Sequence, residues 1–102
     1  MPADSPLTPA EVQSRLQERP QWSVVDGRLH REVALSDFRE AFAFMTAVAL
    51  EAEHLNHHPD WSNSWNLVVV DIVSHAAGGV TKTCVDLALA AQAMCRTERD
   101  DT

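Results

Sequence analysis

Three histidines lie close together in the middle of this chain, at His54, His57 and His58, and a fourth, His75, follows a β-branched run. Imidazole both donates and accepts a proton near neutral pH, so this stretch is a candidate for general acid–base catalysis. Pro59 ends the helix that leads into the cluster, which places His57 and His58 at a partly exposed helix end of fixed geometry. His75 precedes a Gly-Gly loop, a kind of segment that often carries functional residues.

Other interpretations of this cluster stay open at this point. Histidines in solvated loops are common, so an adjacent pair is by itself weak evidence of function. In favour of a binding site, Trp61 and Trp65 in the same stretch offer flat apolar surfaces on which the ring of a ligand could stack. A nucleophilic pair of Cys84 with a histidine is a further alternative, although a cysteine on an apolar helix face is more often a small core residue. A metal site is the last alternative, but the spacing matches no standard zinc pattern; its candidate ligands are His54, His57, His58, His75 and Cys84.

The composition limits the kind of protein. With 102 residues, 45% of them apolar, the chain suits a single domain over residues 1–102 with one core, and we expect flexible tails at residues 1–6 and about 97–102. A net charge of −7 argues against nucleic acid or an anionic membrane as the main partner. There is no long apolar run and no signal-like start, and Cys84 and Cys95 are too far apart on one predicted helix for a disulfide. We therefore expect a cytoplasmic protein.

Local signals in the first third of the chain predict a helix followed by a hairpin. Thr8 and Glu11 form a capping-box pattern, which predicts a helix over about residues 9–18. Residues 22–33 read as two strands around an Asp-Gly pair, one of the stronger sequence signals for a β-hairpin. We expect Trp22 to be a core residue.

A longer central helix is predicted to begin after Asp37 and to end before Pro59. Glu53 falls at the edge of its apolar face, where a surface charge and a functional carboxylate are both reasonable interpretations. The residues that define this face at helical spacing are Phe38, Ala41, Phe42, Met45, Val48, Ala49 and Ala52.

Residues 65–75 read as a strand that is apolar on both of its faces, and Thr81 caps a last helix over about residues 82–95. The predicted fold class is α+β, with three helices on one face of an antiparallel four-stranded sheet in the order α-β-β-α-β-β-α. So small a chain has no second helical layer to cover the other face of the sheet. We therefore expect a homo-oligomer.

These residues resemble the signature of the pterin-4a-carbinolamine dehydratases, the family that includes the dimerisation cofactor of a homeodomain transcription factor. The signature is an acidic residue, three spacers, His-His-Pro, five spacers, an aromatic residue, nine spacers and a histidine. The chain matches every spacing, with Glu53, His57-His58-Pro59, Trp65 and His75. The likeness extends over nearly the whole chain.

The resemblance implies an enzyme of tetrahydrobiopterin recycling that eliminates water from a 4a-hydroxytetrahydropterin and gives the quinonoid dihydropterin. It implies a homodimer or homotetramer, a link to the pathway of an aromatic amino acid hydroxylase, and no metal or organic cofactor. His57, His58 and His75 would be the catalytic acid–base residues, and which of them is the acid stays open. The substrate-binding residues that it implies are Glu53, Trp61 and Ser74.

The chain departs from the family at the start of its last helix. The family usually has Asp nine residues after its last histidine, whereas this chain has Cys84 there, preceded by Thr83 where Arg is frequent. Asp86 lies two residues further on and is rotated by about 200° around the helix, so we do not expect it to replace that carboxylate. The departure motivates an alternative function, that of a weakly active or inactive family member serving as a protein-binding or assembly module.

Overall fold

The computed structural model describes residues 5–16 and 21–95, and it confirms the predicted fold class. Three helices pack on one face of a four-stranded antiparallel sheet with the strand order β1-β2-β4-β3. Along the chain the elements are α1 (Pro9–Leu16), β1 (Ser23–Val25), β2 (Arg28–Ala34), α2 (Phe38–Leu55), β3 (Asp60–Ser64), β4 (Leu67–Ile72) and α3 (Lys82–Ala93).

The predicted caps begin all three helices. Thr8 and Glu11 form the reciprocal capping box, with the backbone N–H of each donating to the side chain of the other at 2.8 and 3.1 Å. Asp37 accepts from the backbone N–H of Glu40 at 2.8 Å and starts α2. Thr81 accepts from the backbone N–H of the residue three positions on and starts α3.

The hairpin turn is also the predicted one. Asp26 and Gly27 both have positive φ angles, 52° and 76°, as a two-residue turn of type I′ requires. This turn connects β1 to β2, which pair with each other. On its other side, β2 pairs with β4 in the middle of the sheet.

The helix-facing side of the sheet carries the core. Leu29 lies opposite Ile72 and Val33 lies opposite Val68, and all four side chains are fully buried. Trp22 is buried as expected. One charged residue, Arg31, also lies on this apolar face. It is 2% exposed, and its Nη1 donates to Cys95 Sγ at 2.9 Å.

The predicted apolar face of α2 was partly wrong. Its inner side consists of Ala41, Phe44, Val48 and Ala52. Phe38 and Phe42 are 51% and 58% exposed and pack on each other, with ring centroids 5.9 Å apart. Helical periodicity showed two adjoining apolar stripes on this helix, but it could not show which of them faces the sheet.

The single strand predicted over residues 65–75 is also corrected. Trp65 lies in the turn between β3 and β4 with a φ of 51°, and Ser74 forms an isolated bridge with Gly79 beyond the end of β4. The predicted strand therefore covers a turn, β4 and a bridged loop, and the fourth strand precedes it as β3. Of the other predictions, residues 17–18 of the first helix, residues 1–4 of the first tail and the whole second tail (about 97–102) lie outside the described residues.

The other side of the sheet, which we call the open face, carries the alternating side chains of the same strands. Leu67 and Val69 are only half-buried there, as the sequence pattern predicted. Homo-oligomerisation through such a face stays a prediction. No helix in the described part of the chain is long and apolar enough to cross a membrane.

Candidate active site

The end of α2 determines where the adjacent histidines lie. Asn56 adopts the left-handed conformation, with φ 53° and ψ 43°, that commonly terminates a helix. The backbone N–H of His57 then donates to the carbonyl oxygen of Ala52 at 2.9 Å, which fixes the first residue after the cap. Three residues later, Asp60 opens β3, so His57 and His58 occupy a short connection held at both ends.

His58 is held by Glu53 from the last turn of α2. The Nε2 atom of His58 lies 2.7 Å from Oε1 of Glu53, a short hydrogen bond. The two side chains are 56% and 77% exposed, so both can reach a molecule in solution. Glu53 is therefore a partner of a candidate catalytic histidine.

His75 is held by a second carboxylate. Its Nε2 atom lies 3.3 Å from Oδ2 of Asp60, and Arg28 approaches the same oxygen at 3.9 Å. Asp60 comes two residues after His58, so this contact places His75 at the same end of β3 as the histidine pair. Ser74 stabilises the loop that carries His75, because its hydroxyl oxygen accepts a hydrogen bond from the backbone N–H of Ala77 at 3.2 Å.

His57 points to a different partner. Its Nε2 atom lies 3.1 Å from Sγ of Cys84, in the first turn of α3, and Cys84 is fully buried. Asp86, the nearest carboxylate along that helix, accepts instead from Nζ of Lys82 at 3.0 Å. The sequence offered a nucleophilic pair of Cys84 with a histidine as an alternative; the structure brings His57 next to Cys84, and a nucleophilic role for the cysteine stays a hypothesis.

The two tryptophans of the cluster lie in different environments. Trp61 pairs with Val70 on the helix-facing side of the sheet and packs against the core. Trp65, in the turn, is 64% exposed. Trp61 can therefore support the site from the core side, whereas Trp65 is open to solvent.

Two polar contacts could not be read from the sequence. Asp60 was missed as the partner of His75, and the only available signal was a carboxylate directly after the His-His-Pro motif. His30, the histidine outside the cluster, lies opposite Asp71 in the strand register, with His30 Nδ1 2.8 Å from Asp71 Oδ1. This pair lies on the open face of the sheet.

The hydrogen bond from His30 to Asp71 raises the pKa of that imidazole above its ordinary value. Partial burial opposes the shift, and the carboxylate of Glu32, 3.3 Å from Nε2, adds to it. The positive charge on His30 is thus stabilised by two carboxylates.

The described residues offer no metal cluster at the histidines. Among residues 5–16 and 21–95, no three His, Cys, Asp or Glu side chains are grouped so as to hold a metal ion. A cavity of about 790 Å³ lies between α1, β1 and residues 78–80, and no predicted site residue lines it. The histidines and their carboxylates form an open surface site.

Comparison with known proteins gives the family. The family model described as pterin 4 alpha carbinolamine dehydratase matches residues 5–94. Two relatives, both named provisionally as pterin-4-alpha-carbinolamine dehydratases, come from Solibacter usitatus and Burkholderia multivorans. The first is 50% identical over 80% of this chain and 86% of its own length, and the second is 47% identical over 81% and 83%.

A solved structure agrees with these sequence matches. The crystal structure of a transcriptional coactivator/pterin dehydratase from Brucella melitensis superposes with a TM-score of 0.84 at 38% identity. The match covers 89% of this chain and 99% of that one. The chain belongs to the pterin-4a-carbinolamine dehydratase family.

The His30–Asp71 pair predicts a pH-dependent contribution to stability. A histidine whose pKa is raised by folding stabilises the folded state below its unfolded pKa of about 6.5, and this contribution disappears as the pH rises through the folded-state value. Asp71→Asn should therefore lower the free energy of unfolding by about 0.5–1 kcal/mol near pH 5.5, and by less near pH 9.

Urea denaturation at the two pH values measures this difference, and His30→Gln supplies the control background. In that background Asp71→Asn should have the same effect at both pH values. An equal loss at pH 5.5 and pH 9 in the otherwise wild-type protein would show that the pair does not stabilise the imidazolium.

Proposed function

We propose that this protein is a hydro-lyase that eliminates water from a 4a-hydroxytetrahydropterin and releases the quinonoid dihydropterin. The observation that carries the proposal is the pair of carboxylate-bound histidines. His58 and His75 are each engaged at Nε2 by a carboxylate, at 2.7 and 3.3 Å, and both lie at the Asp60 end of β3.

The reaction needs one proton delivered and one removed. Hydroxide is a poor leaving group, so an acid protonates the 4a-oxygen as the C4a–O bond breaks and its electron pair departs with the water. A base takes a proton from a ring N–H, and the electrons of that bond form the new ring double bond. General acid–base catalysis of this kind needs correctly placed side chains that exchange protons near neutral pH.

The carboxylate contacts suit His58 and His75 for this exchange. Because Nε2 of each ring faces a carboxylate, Nδ1 is the nitrogen left to meet the substrate. The carboxylate contact also holds the ring in one orientation while Nδ1 exchanges its proton. One ring must be protonated and the other neutral for the cycle to begin. After turnover the two rings have swapped protonation states, and proton exchange with the solvent restores them.

Glu53, Trp61 and Ser74 are the proposed substrate contacts. Glu53 uses Oε1 for His58 and is 77% exposed, so Oε2 remains to accept from pterin N–H groups. The hydroxyl oxygen of Ser74 accepts from Ala77, and its O–H is available to donate to the ligand. Trp61 would support the ring from the core side of the site.

A protein-binding role is the second candidate. The Phe38–Phe42 pair forms a small exposed apolar patch near the start of α2, and Leu50, further along the helix, is 70% exposed. Contiguous exposed apolar side chains often mark protein interfaces. The Brucella melitensis relative is named as a transcriptional coactivator as well as a dehydratase. A silent dehydratase assay combined with stoichiometric recovery of one protein partner would favour this role.

Histidine variants test the enzymatic proposal. His58→Ala and His75→Ala should each lower kcat by about 10²- to 10⁴-fold, because each removes a proton-transfer group. The decay of the 4a-carbinolamine absorbance measures the rate. His54→Ala is the matched control, since His54 is an exposed α2 residue from the same cluster, and it should keep wild-type activity. If wild-type protein is no faster than the His58→Ala/His75→Ala double variant, the proposal is wrong.

Glu53→Gln separates binding from catalysis. The amide keeps the shape of the side chain but loses the charge that faces His58 and the proposed pterin N–H groups. We expect KM to rise and kcat to fall, each by about tenfold, because both partners of the carboxylate are affected. Steady-state kinetics of the same reaction measures both, with Glu51→Gln on the same helix as the control. Unchanged kcat and KM in Glu53→Gln would remove Glu53 from the site.

A further inference from the structure

A row of ionisable side chains crosses the open face of the sheet and leads to His75. In the strand register His30 lies opposite Asp71, and Asp71 lies opposite Asp60, so the three side chains follow one another on the same face of β2, β4 and β3. Asp60 then contacts His75, with Oδ2 3.3 Å from Nε2. The proposed mechanism uses only Asp60 and His75 of these four residues.

The row places two carboxylates side by side. Residues directly opposite each other in antiparallel strands have Cβ atoms about 4.5–5.5 Å apart, and like charges there repel. The structure gives the two carboxylates separate partners. Asp71 Oδ1 lies 2.8 Å from Nδ1 of His30, whereas Asp60 Oδ2 lies 3.9 Å from Nη1 of Arg28 in addition to its contact with His75.

The surroundings of His30 favour its charged form. Nδ1 faces Asp71 and Nε2 lies 3.3 Å from Oε2 of Glu32, so both ring nitrogens meet carboxylate oxygens, which only accept hydrogen bonds. A ring that donates from both nitrogens is the imidazolium, and the Asp71 contact above all raises the pKa of His30. The remaining charge next to His30 on this face of β2 is Arg28, two residues earlier, and Ser23, opposite on β1, is uncharged.

We propose that His30 is a positioning residue for the dehydration and acts on His75 through the two aspartates between them. The imidazolium of His30 neutralises Asp71, so the guanidinium of Arg28 stays with Asp60. Asp60 in turn keeps its contact with His75. The catalytic consequence rests on the proposed function, but the coupling between His30 and His75 exists in the resting protein and can be measured without substrate.

Loss of the charge on His30 changes this arrangement. Asp71 becomes an uncompensated anion directly beside Asp60 and repels it. Asp71 also competes for Arg28, because the two are offset by two residues in the register, a separation of about 7–8 Å that a long side chain spans. Asp60 then holds His75 less well, and a proton-transfer group without a fixed orientation works more slowly.

Two substitutions at position 30 separate charge from shape. His30→Gln removes the charge and keeps a hydrogen-bonding side chain, whereas His30→Lys keeps a positive charge that does not titrate near neutral pH. His54→Gln, at an exposed position of α2, is the matched control for loss of a histidine elsewhere. Thermal unfolding followed by circular dichroism establishes which variants are folded, and His30→Asn replaces His30→Gln if the latter is not.

NMR of the imidazole rings tests the coupling near pH 6, where His30 is charged, with His75→Gln used to assign the signals. His30→Gln should shift the signals of the His75 ring, whereas His30→Lys and His54→Gln should leave them near their wild-type positions. In an Asp71→Asn background, His30→Gln should no longer shift them, because no carboxylate is left to compensate. Unchanged His75 signals in His30→Gln would overturn the proposal.

Kinetics tests the catalytic part. Near pH 6, His30→Gln should lower kcat by about threefold with little change in KM, the size expected for a partly screened charge that acts through another residue. As the pH rises and the wild-type imidazolium is lost, wild type and His30→Gln should converge in kcat. His30→Lys should then be faster than both, because its charge remains.

The outcomes separate this role from the proposed function. If wild type is active and His30→Gln matches it near pH 6, the positioning role is wrong while the proposed function stands. An equal loss of kcat from His30→Gln in the Asp71→Asn background would also contradict the role, since the aspartates would not carry the effect. If wild type is inactive, the proposed function fails, and the NMR comparison alone decides whether His30 and His75 are coupled.

Discussion

The left-handed conformation of Asn56 ends α2 and turns the chain into β3 within a few residues. Every candidate catalytic contact depends on this short connection. It leaves Glu53 on the last turn of the helix beside His58, directs His57 toward α3, and places Asp60 at the start of a strand. A longer loop here would allow the same residues many arrangements, whereas the cap and the strand pairing leave few.

The site combines two kinds of histidine environment. His58 and His75 lie on the surface, each with a carboxylate partner at Nε2. His57 is half-buried, and its Nε2 atom lies 3.1 Å from the buried sulfur of Cys84. A dehydration needs both a proton exchange and precise hydrogen bonding to the departing oxygen, so this division is consistent with the proposed chemistry.

Much of the fold followed from local signals in the sequence. The capping box at Thr8, the cap at Asp37 and the Asp-Gly turn each involve residues close in sequence, and all of them form as predicted. Of the residues in the family signature, Glu53 contacts His58, and His75 lies near the same end of β3, whereas Trp65 lies in the turn at the other end. The exposed side of α2 was misjudged, because Phe38 and Phe42 fit the same helical period as the buried residues.

Most partners within the site could not be predicted, because they join distant parts of the chain; for Cys84 the sequence suggested a histidine partner but not which one. Asp60 and His75 are 15 residues apart, His57 and Cys84 are 27 apart, and His30 and Asp71 are 41 apart. Which side chains meet at such separations depends on strand register and on how α3 packs against the end of α2. No local propensity encodes either of these.

The central claim is that the carboxylate-bound histidines surround one substrate site at the Asp60 end of β3. A crystal structure with a stable dihydropterin tests it most directly. The account predicts that the ring lies between His58 and His75, with its N–H groups directed at Glu53. A ring bound elsewhere, such as in the apolar cavity between α1 and β1, with His58 and His75 both out of contact, would contradict it.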